Sequence, residues 1–284
     1  MESLTFIDVL IIILIGIIEG ITEWLPISST GHMLLFDEFV PFSAGESFKE
    51  MFFVVIQLGA ILAVVTFFFG KMLPLGKVKS ETAGKTQIYL KKDVLIVWAK
   101  ITVACLPSAV VGLIADDWIE EKFGTPLTIA LMLAVYGIAF IVIEKIFVNR
   151  TRKYDSLEKI GFLQALLIGL FQVLSIIPGT SRSGATIIGA LLIGVSRTAA
   201  AEFTFYLAVP TMLGASFLKI AKYGFVFTSA EVIAVLLGMA VAYLVSLAAI
   251  RFLMDYVKRH DFSAFGIYRI GLAAVIFAVV LSGI

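Results

Sequence analysis

Glu19-Gly20-Ile21-Thr22-Glu23-Trp24-Leu25-Pro26-Ile27-Ser28-Ser29-Thr30-Gly31-His32 interrupts an otherwise apolar stretch of the chain. A second polar run, Pro178-Gly179-Thr180-Ser181-Arg182-Ser183-Gly184-Ala185-Thr186, does the same further on. Carboxylates, a guanidinium, hydroxyls and helix breakers are costly at membrane depth and persist there mainly where they line a site. The two runs therefore predict helices that break inside a bilayer, and function is to be sought where they break.

The bilayer itself follows from composition. A mean hydropathy of +1.05, with 60% apolar and 15% charged residues, excludes an ordinary soluble domain, because a globule of 284 residues lacks the interior for so much apolar surface. The net charge of +1 gives no reason to expect a nucleic-acid partner. The single cysteine, Cys105, rules out an intramolecular disulfide and a cysteine metal cluster, and is read as packing. No Lys or Arg precedes the first apolar run and no small-residue cleavage site follows it, so a cleaved signal peptide is not expected.

Six apolar segments are long enough to cross a membrane: 52–69, 94–115, 127–147, 199–220, 232–253 and 265–284. Two more regions, 6–36 and 160–195, carry shorter apolar arms on either side of the polar runs and are predicted as re-entrant helical hairpins. Loop charges agree with that count. Lys71, Lys77, Lys79, Lys85, Lys91 and Lys92 crowd one loop, Lys145, Arg150, Arg152, Lys153 and Lys159 another, and Arg251, Lys258 and Arg259 a third; the positive-inside rule assigns all three to the cytoplasm. The acidic stretches at Asp37, Glu38, Glu46 and Glu50 and at Asp116, Asp117, Glu120 and Glu121 then lie outside, as do both termini.

A shift of 153 positions superposes Leu14-Ile15-Gly16 on Leu167-Ile168-Gly169 and Ser28-Ser29-Thr30-Gly31 on Ser181-Arg182-Ser183-Gly184. The chain thus reads as one all-α membrane domain, 1–284, made of two repeats of about 1–150 and 155–284. Because three spans separate the hairpins, the repeats have opposite orientation, and their broken helices are expected to meet near the midplane.

The repeats differ in chemistry. Glu19 is matched by Gln172, Glu23 by Ile176, His32 by Ala185, and Ser29 by Arg182. Glu19 and Glu23, four apart, share a helix face. Two buried carboxylates so close oppose each other's ionisation, which points to a divalent metal or a protonated member. Arg182 offers a planar fork for phosphate. Ser181 and Ser183 beside Gly184 are expected to cap a half-helix whose free N–H groups make an anion site, and Gly31 to act likewise in the first repeat. With the hydroxyls of Ser28, Ser29 and Thr30 and a titratable His32, this is an inventory for phosphoryl transfer or phosphate hydrolysis.

Residues 19–33 and 178–187 closely resemble the two signature motifs of the bacterial undecaprenyl-pyrophosphate phosphatases, the BacA/UppP family linked to bacitracin resistance. The likeness extends over essentially the whole chain, with Trp24 standing where Phe is common. It implies an enzyme of the bacterial plasma membrane that removes the terminal phosphate from a C55 polyprenyl diphosphate, recycling the carrier for cell-wall peptidoglycan. It also implies six spans with two re-entrant hairpins, an active site opening to the outer face, and a homodimer.

On this reading Glu19 and Glu23 hold Mg²⁺ or Ca²⁺, Arg182 binds the transferred phosphate, Ser29 or an activated water attacks, and His32 serves as acid or base. The sequence leaves a phosphoseryl intermediate and direct hydrolysis both open. Gln57, about a turn into a predicted span, either lines the pocket or bridges helices. Glu202 sits near a span entrance and His260 in a charged loop. The rival class is a lipid-phosphate transporter, for which inverted repeats with broken helices are the usual scaffold.

Overall fold

The computed structural model describes residues 4–40, 42, 44–79, 86–147 and 152–282. In chain order its helices are α1 (Phe6–Thr22), α2 (Ser29–Phe39), α3 (Glu46–Val55), α4 (Gln57–Phe67), the short α5 (Phe69–Met72) and α6 (Lys92–Phe123). They continue with α7 (Pro126–Phe147), α8 (Phe162–Val173), α9 (Arg182–Leu192), α10 (Arg197–Tyr223), α11 (Ser229–Tyr256) and α12 (Ser263–Ser282). A 3₁₀ turn, Leu174–Ile176, follows α8. Two strands, β1 (Leu75–Lys79) and β2 (Thr86–Leu90), pair antiparallel with Leu75 opposite Leu90.

Helix ends are set by local chemistry. Thr5 and Asp8 form a capping box at the start of α1, and Thr228 and Glu231 form another at the start of α11, satisfying N–H groups that a first turn leaves free. Six helical segments are long and apolar enough to cross a membrane: Glu46–Phe67, Lys92–Phe123, Pro126–Ile146, Arg197–Tyr223, Ser229–Tyr256 and Ser263–Ser282. Only 28% of the most apolar window of the second of these is buried inside the protein; Leu95, Ile96, Leu106 and Val110 are exposed on it, as on a lipid-facing surface.

All six predicted spans are present, four of them longer than predicted and the third and sixth of the predicted length, shifted by one and two residues. The first begins at Glu46 and is divided at Ile56 between α3 and α4, so Gln57 lies mid-span and not a turn from its start. The lysine-rich loop after α5 contains the β1–β2 hairpin, which the all-helical expectation omitted. Lys85 and Arg150 lie outside the described residues.

Helix spacings match between the two halves of the chain. α2 and α9 are each 11 residues long and start 153 positions apart; α6 and α11 start 137 apart, as do α7 and α12. The offset changes across the segment that holds β1 and β2. Packing follows the same correspondence: α1 lies on α11 and α8 on α6, α4 on α11 and α10 on α6, and α7 on α12. Small residues permit the first of these pairings. A Cβ at Gly16 would sit 2.9 Å from the Val241 Cβ, and one at Gly169 would sit 2.2 Å from the Ala104 carbonyl oxygen. Gly16 and Gly169 are themselves 153 apart, and Ala104 and Val241 are 137 apart. Such glycines let helix backbones touch where lipid supplies no hydrophobic drive.

Candidate active site

Each hairpin breaks in the same way. After Thr22 and after Ile176 the helix stops, and a proline, Pro26 or Pro178, prevents its continuation. The next helix starts from a serine with positive φ, Ser28 at +73° and Ser181 at +70°. Side chains other than glycine rarely adopt this conformation, and it persists only where surroundings over-determine it. The restraint comes from Arg269 on α12, which is 0% exposed. Its Nη1 donates to Pro26 O at 3.2 Å, and its Nη2 donates to Gly179 O and Thr180 O, each at 2.9 Å. Its Nε donates to Leu133 O on α7 at 3.4 Å, and its guanidinium lies 5.6 Å from the Tyr136 ring. One buried cation therefore ties both breaks to the α7–α12 pair. Gly179, at φ +89°, leaves no room for a Cβ, which would lie 2.6 Å from Ile129 O.

Between the breaks lies a polar cavity of about 190 Å³ lined by Glu23, Ser29, Thr30, Gln57, Ser181 and Arg182, with Ser175, Gly179 and three residues of α10 completing the wall. Glu23 stands at its centre. Arg182 Nη2 donates to Glu23 Oε1 at 3.1 Å, and Ser29 Oγ donates to Glu23 Oε2 at 3.1 Å. Arg182 Nη1 donates to Thr204 O at 3.1 Å, and its guanidinium lies 5.8 Å from the buried Trp24 ring. Its Nε has no hydrogen-bond partner. Arg182 is thus held on two sides with one guanidinium nitrogen, Nε, unengaged.

Ser183 Oγ lies 3.3 Å from Glu23 O and 3.4 Å from Leu25 O, so the second break is joined to the first through hydroxyl and backbone. Ser181 caps α9 as expected, accepting from Gly184 N at 3.2 Å. Ser28 does not cap α2 in this way; its buried Oγ has no partner, and the first N–H groups of α2 lack a side-chain acceptor. Gly31 does not serve the cap either. It is buried against α7, where an added Cβ would meet Leu133 at 3.0 Å.

Glu19 is 1% exposed, and its Oε1 has no partner. It lies outside the cavity wall, one turn before Glu23. Among the described residues no group of three or more His, Cys, Asp or Glu is placed to hold a metal. His32 is placed differently from expectation. Its Nδ1 is 2.7 Å from Ser28 O and its Nε2 is 2.7 Å from the Tyr268 hydroxyl. A carbonyl only accepts, so Nδ1 carries the proton and Nε2 accepts from Tyr268. The ring braces the strained Ser28 turn and does not touch Ser29 Oγ. Of the remaining residues singled out, Glu202 pairs with Lys71 at 2.8 Å, and the exposed His260 stacks on Tyr256.

Sequence reasoning missed Arg269 and Tyr268. An arginine about a turn inside a predicted span was the available signal, since an intramembrane cation marks a site by default. It also missed the partners of Gln172, whose Nε2 donates to Ser108 Oγ and, at 3.3 Å, to Thr211 Oγ1.

Six apolar helices around a polar cavity built from two helix breaks define a multi-pass membrane protein with an internal site. The comparisons with known proteins carry this to a family. The chain belongs to the BacA family: the family model for bacitracin resistance protein BacA matches residues 12–275. An undecaprenyl-diphosphatase of Enterococcus faecalis is 58% identical over 277 residues, covering 98% of this chain and 99% of the relative. Proteins of the same name from Lachnoclostridium phytofermentans (53% over 271 residues, 95% and 96% covered) and Streptococcus mutans (49% over 275 residues, 95% and 95%) are also similar.

Proposed function

We propose that this protein is a membrane diphosphatase that hydrolyses undecaprenyl diphosphate to undecaprenyl phosphate and inorganic phosphate, returning the lipid carrier to cell-wall synthesis. The family and the names of its relatives support the substrate. The observation that carries the chemistry is the carboxylate of Glu23 shared between the Ser29 hydroxyl and the Arg182 guanidinium.

The terminal phosphate docks against Arg182, using its free Nε–H and the N–H groups at the start of α2, with Ser28 and Thr30 alongside. Ser29 Oγ forms a bond to the terminal phosphorus as the bond from that phosphorus to the bridging oxygen breaks. The Ser29 proton passes to Glu23 Oε2, and the prenyl monophosphate leaves. Water then cleaves the phosphoserine, giving inorganic phosphate and restoring the Ser29 hydroxyl. His32 acts at a distance, fixing the Ser28 carbonyl and with it the orientation of Ser29.

Glu19, whose buried Oε1 has no partner, and Glu23 would hold a Mg²⁺ or Ca²⁺ through carboxylate oxygens, the donor type such ions take. Bound there, the cation neutralises the diphosphate's charge. The matched helix breaks and paired packing support re-entrant hairpins in an inverted repeat, and the lysine-rich loops support a cavity that opens to the outer face of the bacterial inner membrane.

Rapid quench with substrate labelled in its terminal phosphate tests the mechanism. Acid-stable label on Ser29 is expected, lost in Ser29→Ala, and chelator is expected to silence the parent. Turnover with no trace of phosphoserine assigns the attack to water.

A further inference from the structure

The two repeats pack their hairpins differently at one position. Where α1 crosses α11, Gly20 closes the seam: a Cβ there would lie 2.7 Å from the Val245 Cβ and 2.9 Å from Ala242 O, and Ser246 Oγ donates to Gly20 O at 3.3 Å. In the other repeat, Val173 stands 153 positions after Gly20, and Ser108 stands 137 positions before Val245. Pro107 precedes Ser108 inside α6; its ring removes a donor and crowds the preceding turn. The α6–α8 seam therefore does not close. It holds a groove of about 530 Å³ with an entirely apolar lining that includes Leu106, Pro107, Val110, Leu170, Val173 and Leu174.

This groove adjoins the polar cavity. Leu174 lines the groove and Ser175, the next residue of the 3₁₀ turn, lines the cavity. Behind the turn, Gln172 joins Ser108 to Thr211, and Thr211 is also part of the cavity wall. The seam thus passes from hydroxyls and a guanidinium to pure hydrocarbon across a single residue, the polarity profile of a diphosphate on a prenyl chain. We infer that the α6–α8 groove binds the first prenyl units of the substrate, with the 3₁₀ turn as the sill over which phosphate and tail part. The inference rests on the diphosphatase reading above and adds to it a specificity site. At the matching position of the other repeat, Gly20 leaves no such opening.

Val110 and Leu170 are 54% and 50% exposed, so a larger side chain at either fills the groove without crowding the core. Phosphate release is measured with undecaprenyl diphosphate and with methyl diphosphate, which carries no prenyl unit, for the parent, Val110→Trp, Leu170→Trp and, as a control, Leu14→Trp. Leu14 is exposed on α1, away from the groove. In the two groove variants the ratio of kcat/KM for the long substrate to that for the short one is expected to fall at least tenfold, through KM. The control is expected to keep the parent's ratio. An unchanged ratio, or an equal fall in the control, overturns the groove assignment and leaves an ordinary lipid-facing seam. A parent that releases no phosphate from either substrate overturns the diphosphatase reading instead.

Discussion

Arg182 reaches three surfaces at once: the Glu23 carboxylate, the Thr204 carbonyl and the Trp24 face. Only a planar fork does this, and a lysine offers one point charge on a flexible stem. Arg182→Ala is expected to lower phosphate release at least 100-fold, in line with the roughly 10²–10³-fold cost of losing one preorganised donor to a developing charge. Arg182→Lys is expected to recover less than a tenth of parental activity. Steady-state phosphate release by purified protein checks both, and a lysine variant as active as the parent sinks two-pronged phosphate binding. Glu23, Ser29 and Arg182 were legible in the sequence because charges and hydroxyls among apolar residues announce themselves. The working partner of Ser29 was not. His32 is three residues away in sequence, yet Glu23 holds the hydroxyl, because the helical turn that starts at Ser29 carries the imidazole towards Tyr268.

At the scale of elements, the hairpins depend on a residue outside both of them. Arg269 satisfies carbonyls of Pro26, Gly179, Thr180 and Leu133. Each buried carbonyl left without a donor costs about 1–3 kcal/mol. Arg269→Met, which keeps an unbranched stem and loses every donor, is expected to lower the midpoint of thermal unfolding in detergent by several degrees. It is also expected to abolish turnover, because Ser28 and Ser181 would relax from their positive φ. Arg269→Lys, able to reach fewer carbonyls, is expected to fall between variant and parent. A parental melting curve for Arg269→Met would show that the breaks hold themselves.

For the whole molecule, the proposed inverted repeat, with three spans between the hairpins, calls for opposite orientations of the two halves. With Cys105 replaced by alanine, cysteines at Lys92 and Lys258 are expected to resist a membrane-impermeant thiol reagent in intact cells. Cysteines at Glu46 and Glu120 are expected to react, since all four positions are exposed and only the membrane separates them. Labelling at Lys92 with protection at Glu46 would invert the molecule in the membrane.

Hydropathy and the two polar runs were enough to define the membrane class, the six spans and most of the cavity wall, because in lipid every polar group is an exception that needs a partner. The β1–β2 hairpin was not visible, since the lysine-rich loop that holds it lies outside the apolar pattern that the reading followed. What pairs with what was decided only by packing across the repeat. Glu23 rather than His32 beside Ser29, one arginine from α12 bracing both breaks, and a seam closed by Gly20 but left open at Val173 all join residues more than a turn apart in the helix or on different helices. Local sequence fixes where a helix breaks; which side chain fills the break depends on distances that only the folded bundle sets.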